Sequence, residues 1–121
     1  MYDINKFIAD PGLFKHDAEG FLADLPHWSP RIASQIAEAE GLMLTDAHWE
    51  VIYRLREEYR TAGPEWTARE VTRMLESDFA ASGGRRHLYE LFPGGPLVQG
   101  CRLAGLPLPQ GTLDPSFGSV H

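Results

Sequence analysis

Among its 121 residues the chain has a single cysteine, Cys101, and that scarcity removes several chemistries at once. One thiol makes no intramolecular disulfide, and no cysteine-based zinc site can be assembled around it. Long apolar runs are missing too, since no stretch approaches the roughly 20 residues that a membrane span needs. The opening segment, MYDINKFIAD, lacks the basic flank and apolar run of a secretory leader. A cytoplasmic location without membrane contact is the default expectation. Positive charge is scarce: 11 Lys+Arg stand against 17 Asp+Glu, a formal charge of −6. Nucleic acid is densely negative, so a binder normally concentrates cations toward it. Nucleic acid is therefore not an expected partner. His16, His27, His87 and His121 show no metal-ligand spacing, and there is no HExxH, no Ser/His/Asp nucleophile pattern and no phosphate-cradling glycine loop. Neither a metal nor a cofactor is expected.

What is present reads as a mainly α single domain. Apolar residues make up 43% and charged residues 23%, enough for a modest core without staples. Ser29 is a good N-cap, Pro30 suits the first helical position and Gly41 provides a stop. Between them Ile32, Ala33, Ile36 and Ala37 repeat at helical spacing. A second helix starts at Thr45, with Asp46 complementing its dipole, and ends at Gly63-Pro64. Its apolar stripe is Val51, Ile52, Leu55 and Tyr59, leaving Arg54, Arg56, Glu57, Glu58 and Arg60 largely outside. Thr67-x-x-Glu70 has capping-box spacing and opens a third helix lined by Val71, Met74, Leu75 and Phe79, stopping at Gly83-Gly84. A short helix through His87–Leu91 halts before Pro93, and another runs from Pro96 to near Gly105. Near the start, Phe7-Ile8-Ala9 and Leu13-Phe14 flank the turn tripeptide Asp10-Pro11-Gly12, which predicts a β-hairpin. The expected architecture is a small orthogonal helical bundle over 1–104, with an N-terminal β-hairpin and a C-terminal arm over 105–121.

Three blocks go further than periodicity. They are Glu40-Gly41-Leu42-Met43-Leu44-Thr45-Asp46-Ala47-His48-Trp49-Glu50-Val51-Ile52, then His87-Leu88-Tyr89-Glu90-Leu91-Phe92-Pro93-Gly94-Gly95-Pro96, then Gln99-Gly100-Cys101-Arg102-Leu103-Ala104-Gly105-Leu106-Pro107-Leu108-Pro109. Together they resemble the DsrC/TusE family of sulfur-relay proteins, as do Asp17–Leu22 and Trp28. The resemblance implies a helical fold with an N-terminal hairpin and a mobile arm. In that family the arm brings a cysteine to sulfite reductase or to a tRNA-thiolation relay. The reactive cysteine is normally next to last, and the position matching it here is Thr112, eleven residues after Cys101. The sequence continues through Leu113-Asp114-Pro115-Ser116-Phe117-Gly118-Ser119-Val120-His121, where the family pattern stops.

A persulfide forms by thiolate attack on a sulfur donor, and the Thr112 hydroxyl has no comparable chemistry. The arm still reaches: residues 105 to 121 extend roughly 55 Å at about 3.3 Å each. The leading expectation is a regulatory or adaptor member of the family that docks through its arm without carrying sulfur, and is not itself an enzyme. Its expected partner is a protein of sulfur metabolism, either sulfite-reductase-like, heterodisulfide-reductase-like or a component of a sulfur relay. The alternative is a single-thiol persulfide carrier on Cys101, assisted by Arg102, Arg85 or Arg86. Toward a helix C-terminus the dipole and burial both raise a thiol pKa, so a quiet Cys101 is the preferred reading. By the resemblance, a basic residue near Arg85 and Arg86 lies beside the groove that the arm crosses. Arg85, Arg86, Arg102 and Thr112 are accordingly the candidate partner or anion contacts, with ordinary surface arginine the plain alternative. A third reading, a DNA-binding helix pair using Arg54, Arg60, Arg69 and Arg73, runs against the acidic total. His48 on an apolar helix face, Trp28, Trp49 and Trp66 read as packing residues, and Glu57-Glu58 as a solvated face.

Overall fold

Caps and stripes place the helices much as their residues dictate. The computed structural model describes residues 20–112, so the hairpin expected around Asp10-Pro11-Gly12 lies outside the described residues. A 3-10 turn, Gly20–Asp24, leads to helix α1, Pro30–Ala39, whose Ile32 N–H donates to Ser29 Oγ at 3.3 Å. Helix α2 spans Asp46–Ala62 and α3 spans Ala68–Asp78. Helix α4 spans Gly84–Leu91 and α5 spans Pro96–Ala104. Among the described residues there is one isolated parallel bridge, Thr67 to Gln110, and no extended strand.

The core lies between α2 and α5, with α1, α3 and α4 closing around them. Val51, Ile52, Leu55 and Tyr59 of the α2 stripe are all buried, as are Trp28, Trp49 and Trp66. Helix α5 sits close to α2: a Cβ added at Gly100 would lie 3.0 Å from Leu55 Cδ1. No described helix is long and apolar enough to cross a membrane.

Three local expectations need correction. Arg56, placed outside the apolar stripe, is only 4% exposed. Its guanidinium lies 4.1 Å from the Trp28 ring centroid and donates from Nη1 to the Ala104 carbonyl. The last carbonyls of a helix lack intrahelical donors, and an arginine with an apolar stem supplies one from inside. The Thr67–Glu70 pair is only half a capping box. Glu70 N–H donates to Thr67 Oγ1, but the Glu70 carboxylate takes the Thr67 hydroxyl, 2.7 Å away, instead of reaching back to the backbone. Finally, α3 gives way at Phe79 to a 3-10 turn, Ala80–Ser82, and α4 begins at Gly84, so Arg85 and Arg86 lie within its first turn.

The reciprocal cap that does form is Thr45–His48. Thr45 N–H donates to His48 Nδ1 at 3.0 Å, with Thr45 Oγ1 2.8 Å from the same nitrogen. Nδ1 is then the acceptor, so Nε2 carries the proton and donates to the Leu91 carbonyl at 2.7 Å. His48 is 5% exposed and stands edge-on to Phe92, 5.2 Å between centroids. It ties the start of α2 to the end of α4. Burial lowers its pKa, a push reinforced by His87 and opposed by the Leu91 hydrogen bond.

Candidate functional site

Helix α5 brings Cys101 into the core. The residue is 0% exposed, and burial pushes its thiol up to about 12. Nucleophilic sulfur chemistry needs the thiolate, which this environment suppresses. Arg102, the neighbor expected to help, turns elsewhere: its Nη1 donates to Glu40 Oε2 at 2.9 Å. Gln99 Nε2 donates to the other Glu40 oxygen at 2.9 Å, while Gln99 Oε1 accepts from Gly94 N–H at 3.0 Å. Burial raises the Glu40 pKa, but the hydrogen bonds from Gln99 and Arg102, with the charge of Arg102, outweigh it and hold the carboxyl below its ordinary value. This network pins the Pro93-Gly94-Gly95 turn to α5 and the end of α1.

The far end of α5 is held as firmly. Trp28 Nε1 donates to the Leu103 carbonyl at 2.8 Å, next to the Arg56 contact with Ala104. Gly105 then takes φ +70, and a Cβ there would lie 2.6 Å from Trp28 Cδ1. Only glycine fits both the left-handed backbone and the close approach. The chain that follows is anchored: Ala68 N–H donates to the Gln110 carbonyl at 2.8 Å, and Gln110 N–H to the Trp66 carbonyl at 2.9 Å. Thr112 turns back on itself, with its backbone N–H 3.2 Å and its hydroxyl 2.6 Å from the Pro109 carbonyl.

These anchors deliver Gly111 and Thr112 to the rim of a groove of about 540 Å³. Its walls are Thr72, Leu75 and Glu76 of α3, Arg85, Leu88 and Tyr89 of α4, the Pro93–Gly95 turn and the first residues of α5. The floor is apolar, through Leu75, Leu88 and Val98. The rim carries one charge of each sign, Arg85 and Glu76. Arg85 Cζ lies 5.5 Å from the centroid of the Tyr89 ring, itself 48% exposed.

Of the five candidates, the structure therefore brings two together, Arg85 and Thr112. Arg86 does not line the groove, Arg102 is committed to Glu40, and Cys101 is sealed in the core. Sequence reasoning missed Tyr89 and Thr72. A helical wheel through Arg85 and Tyr89, four apart, shows that they share a face; it does not show what that face meets. The DNA-binding arginines are partly spent: Arg54 pairs with Asp78 at 2.7 Å and Glu58 at 3.3 Å, and Arg60 pairs with Glu57. No group of three or more His, Cys, Asp or Glu side chains among the described residues is arranged to hold a metal.

Fold and site define a small helical protein whose C-terminal segment is delivered to the rim of an amphipathic groove. The chain belongs to the family described as DsrC like protein, whose profile matches residues 12–113. Sulfurtransferase TusE of Pectobacterium atrosepticum is 38% identical over 94 residues, covering 77% of this chain and 86% of that protein. The sulfurtransferase TusE homolog of Haemophilus influenzae is 42% identical over 94 residues, with the same coverage of both chains. The NMR structure of Allochromatium vinosum DsrC superposes with a TM-score of 0.62 at 38% identity, covering 78% of this chain and 85% of that one.

Proposed function

We propose that this chain is a partner-docking, regulatory member of the DsrC-like family that binds a protein of sulfur metabolism through its groove and arm without itself carrying sulfur. Relatives named sulfurtransferase TusE support a place in sulfur relay. The observation that carries the finer reading is a pair of positions. A hydroxyl, Thr112, stands at the groove rim where the family pattern has its relay thiol, and the one thiol in the chain, Cys101, is fully buried with its ionization suppressed. Thr112 cannot form a persulfide, and Cys101 lacks both access and thiolate.

Docking is supported from the other side. Arg85 occupies the first turn of α4, where the helix dipole disfavors a cation by about 0.3–1 kcal/mol. Its contact with the Tyr89 ring offsets that cost, and its place on the groove rim supports a contact with an incoming segment. The arm, read as 105–121, is the second contact. Incubation of the intact protein with a persulfide donor, followed by native-state intact mass, tests this reading. The expected spectrum is unshifted. A stable species about 32 Da heavier, one added sulfur, on most molecules would establish a carrier and favor the Cys101 alternative.

A further inference from the structure

We propose that the loop between α1 and α2, with Met43 at its tip, is a second docking surface, which takes a basic segment of a partner protein carrying an apolar anchor. This surface shares no lining residue with the groove and does not depend on docking there.

Two caps fix the loop. At the end of α1, Gly41 takes φ +71 and Leu42 N–H donates to the Ala37 carbonyl at 2.8 Å, closing the helix through a left-handed glycine. The Thr45–His48 exchange then opens α2. Between them Leu42 and Leu44 turn inward and pack on the core. Met43 is left outside at 82% exposure, the most exposed of the large apolar side chains described. Because the backbone is held on both sides, no loop has to be ordered on binding.

A single exposed apolar residue is ordinary; its surroundings are what point to a ligand. Met43 borders a cavity of about 400 Å³, walled by Ser34, Ala37 and Glu38 of α1 and by Leu42 and Leu44. Ser34 Oγ is buried there and has no hydrogen-bond partner among the described residues. An incoming backbone N–H or carbonyl would give it one. The methionine thioether is flexible and polarizable, and adapts to apolar side chains of varied shape.

Charge decides what covers this patch. From residue 32 to residue 53 the sequence has four carboxylates, Glu38, Glu40, Asp46 and Glu50, and no Lys or Arg. Arg102 holds Glu40, which leaves Glu38 on the cavity wall and Asp46 and Glu50 on α2 just past the loop. Arg31 and Arg54 bound the stretch, and Arg54 is paired with Asp78 and Glu58. An apolar center in an acidic surround matches Lys or Arg flanking an aliphatic side chain. A second copy would bring the same carboxylates and meet like charge. The N-terminal segment joins the fold at Gly20, which packs on the Arg60 carbonyl. That point is about 22 Å along α2 from Thr45 at roughly 1.5 Å per residue, so a separate partner is the better match.

The test uses the isotope-labeled full chain and an acetylated, amidated peptide, Lys-Lys-Ala-Leu-Leu-Ala-Lys-Lys, followed by amide shifts. Saturable shifts should center on Ser34, Glu38, Leu42, Met43 and Leu44 and leave Thr72, Glu76 and Leu97 of the groove in place. Peptides with Glu for Lys, or Ser for Leu, should produce no such shifts. Met43→Ser should weaken binding about tenfold by removing the apolar contact. Glu38→Lys should weaken it about threefold at low salt, an effect that fades as salt rises. Both side chains are exposed, so neither change disturbs the core. Absent shifts, shifts spread over every acidic surface, shifts centered on the groove, or undiminished affinity of Met43→Ser would each overturn the proposal. Two results on the free protein would also overturn it. If Met43→Ser moves the amides of residues 2–19, the occupant is the chain's own N-terminal segment; if it abolishes a concentration-dependent dimer seen by sedimentation, the occupant is a second copy.

Discussion

The burial of Cys101 fixes how slowly it must react, and the magnitude can be worked through. With its thiol pushed from 9.0 to about 12, the thiolate fraction at pH 8 falls from about one in ten to about one in ten thousand, a drop of roughly 10³. A more basic thiolate is a better nucleophile, with a Brønsted slope of about 0.4–0.5. Over the rise from 9.0 to about 12 that returns roughly a factor of 20. Ionization alone therefore slows the reaction about 50-fold. Access adds to this, because at 0% exposure a reagent reaches the sulfur only when α5 opens. Local openings in a core element approach the global stability, which for small domains is about 5–15 kcal/mol. The expected result is labeling by a thiol-specific disulfide reagent at pH 8 that is slower than in denaturant by far more than 50-fold. Native and denatured half-times within about tenfold of each other would refute the reasoning.

His48 predicts an acid-sensitive stability. Its folded pKa lies below 6.5, so the unfolded chain binds the proton first; stability is fully present above pH 6.5 and is lost as pH falls through the folded value. His48→Gln keeps a capping-box acceptor for Thr45 N–H without the titration, so the wild-type slope of unfolding free energy between pH 7.5 and 5.5 should flatten; an unchanged slope would refute the assignment. Gly105→Ala should cost about 2–5 kcal/mol, combining the left-handed backbone penalty with overpacking against Trp28, and chemical denaturation should show it; a loss below 1 kcal/mol would mean that this end of α5 yields.

Much of the fold was legible because it is local. Ser29, Thr45 and Thr67 mark helix starts, and Val51, Ile52, Leu55 and Tyr59 repeat at a helical period whose burial follows directly. The family, too, could be read from rare contiguous strings. What stayed hidden is what joins distant segments. Arg56 looks like a surface charge on its own helix, and only the approach of Trp28 and the end of α5 turns it inward. Arg102 looks like a neighbor for the Cys101 sulfur, yet adjacent helical residues face different ways, and its guanidinium meets Glu40. His48 was readable as a packed histidine, but its capping role was not, because the recognized box uses Glu or Gln at that place. The groove itself could not be read from any one segment. Three helices and a turn build it, and Thr112 reaches it through a bridge between Thr67 and Gln110 that no periodicity announces.

Thr112→Cys, compared with the natural chain under the same persulfide donor and read by intact mass, goes straight to whether position 112 is the vacant seat of the sulfur. The variant should gain one sulfur atom while the natural chain stays unshifted. Sulfur on the natural chain, or none on the variant, would contradict the account.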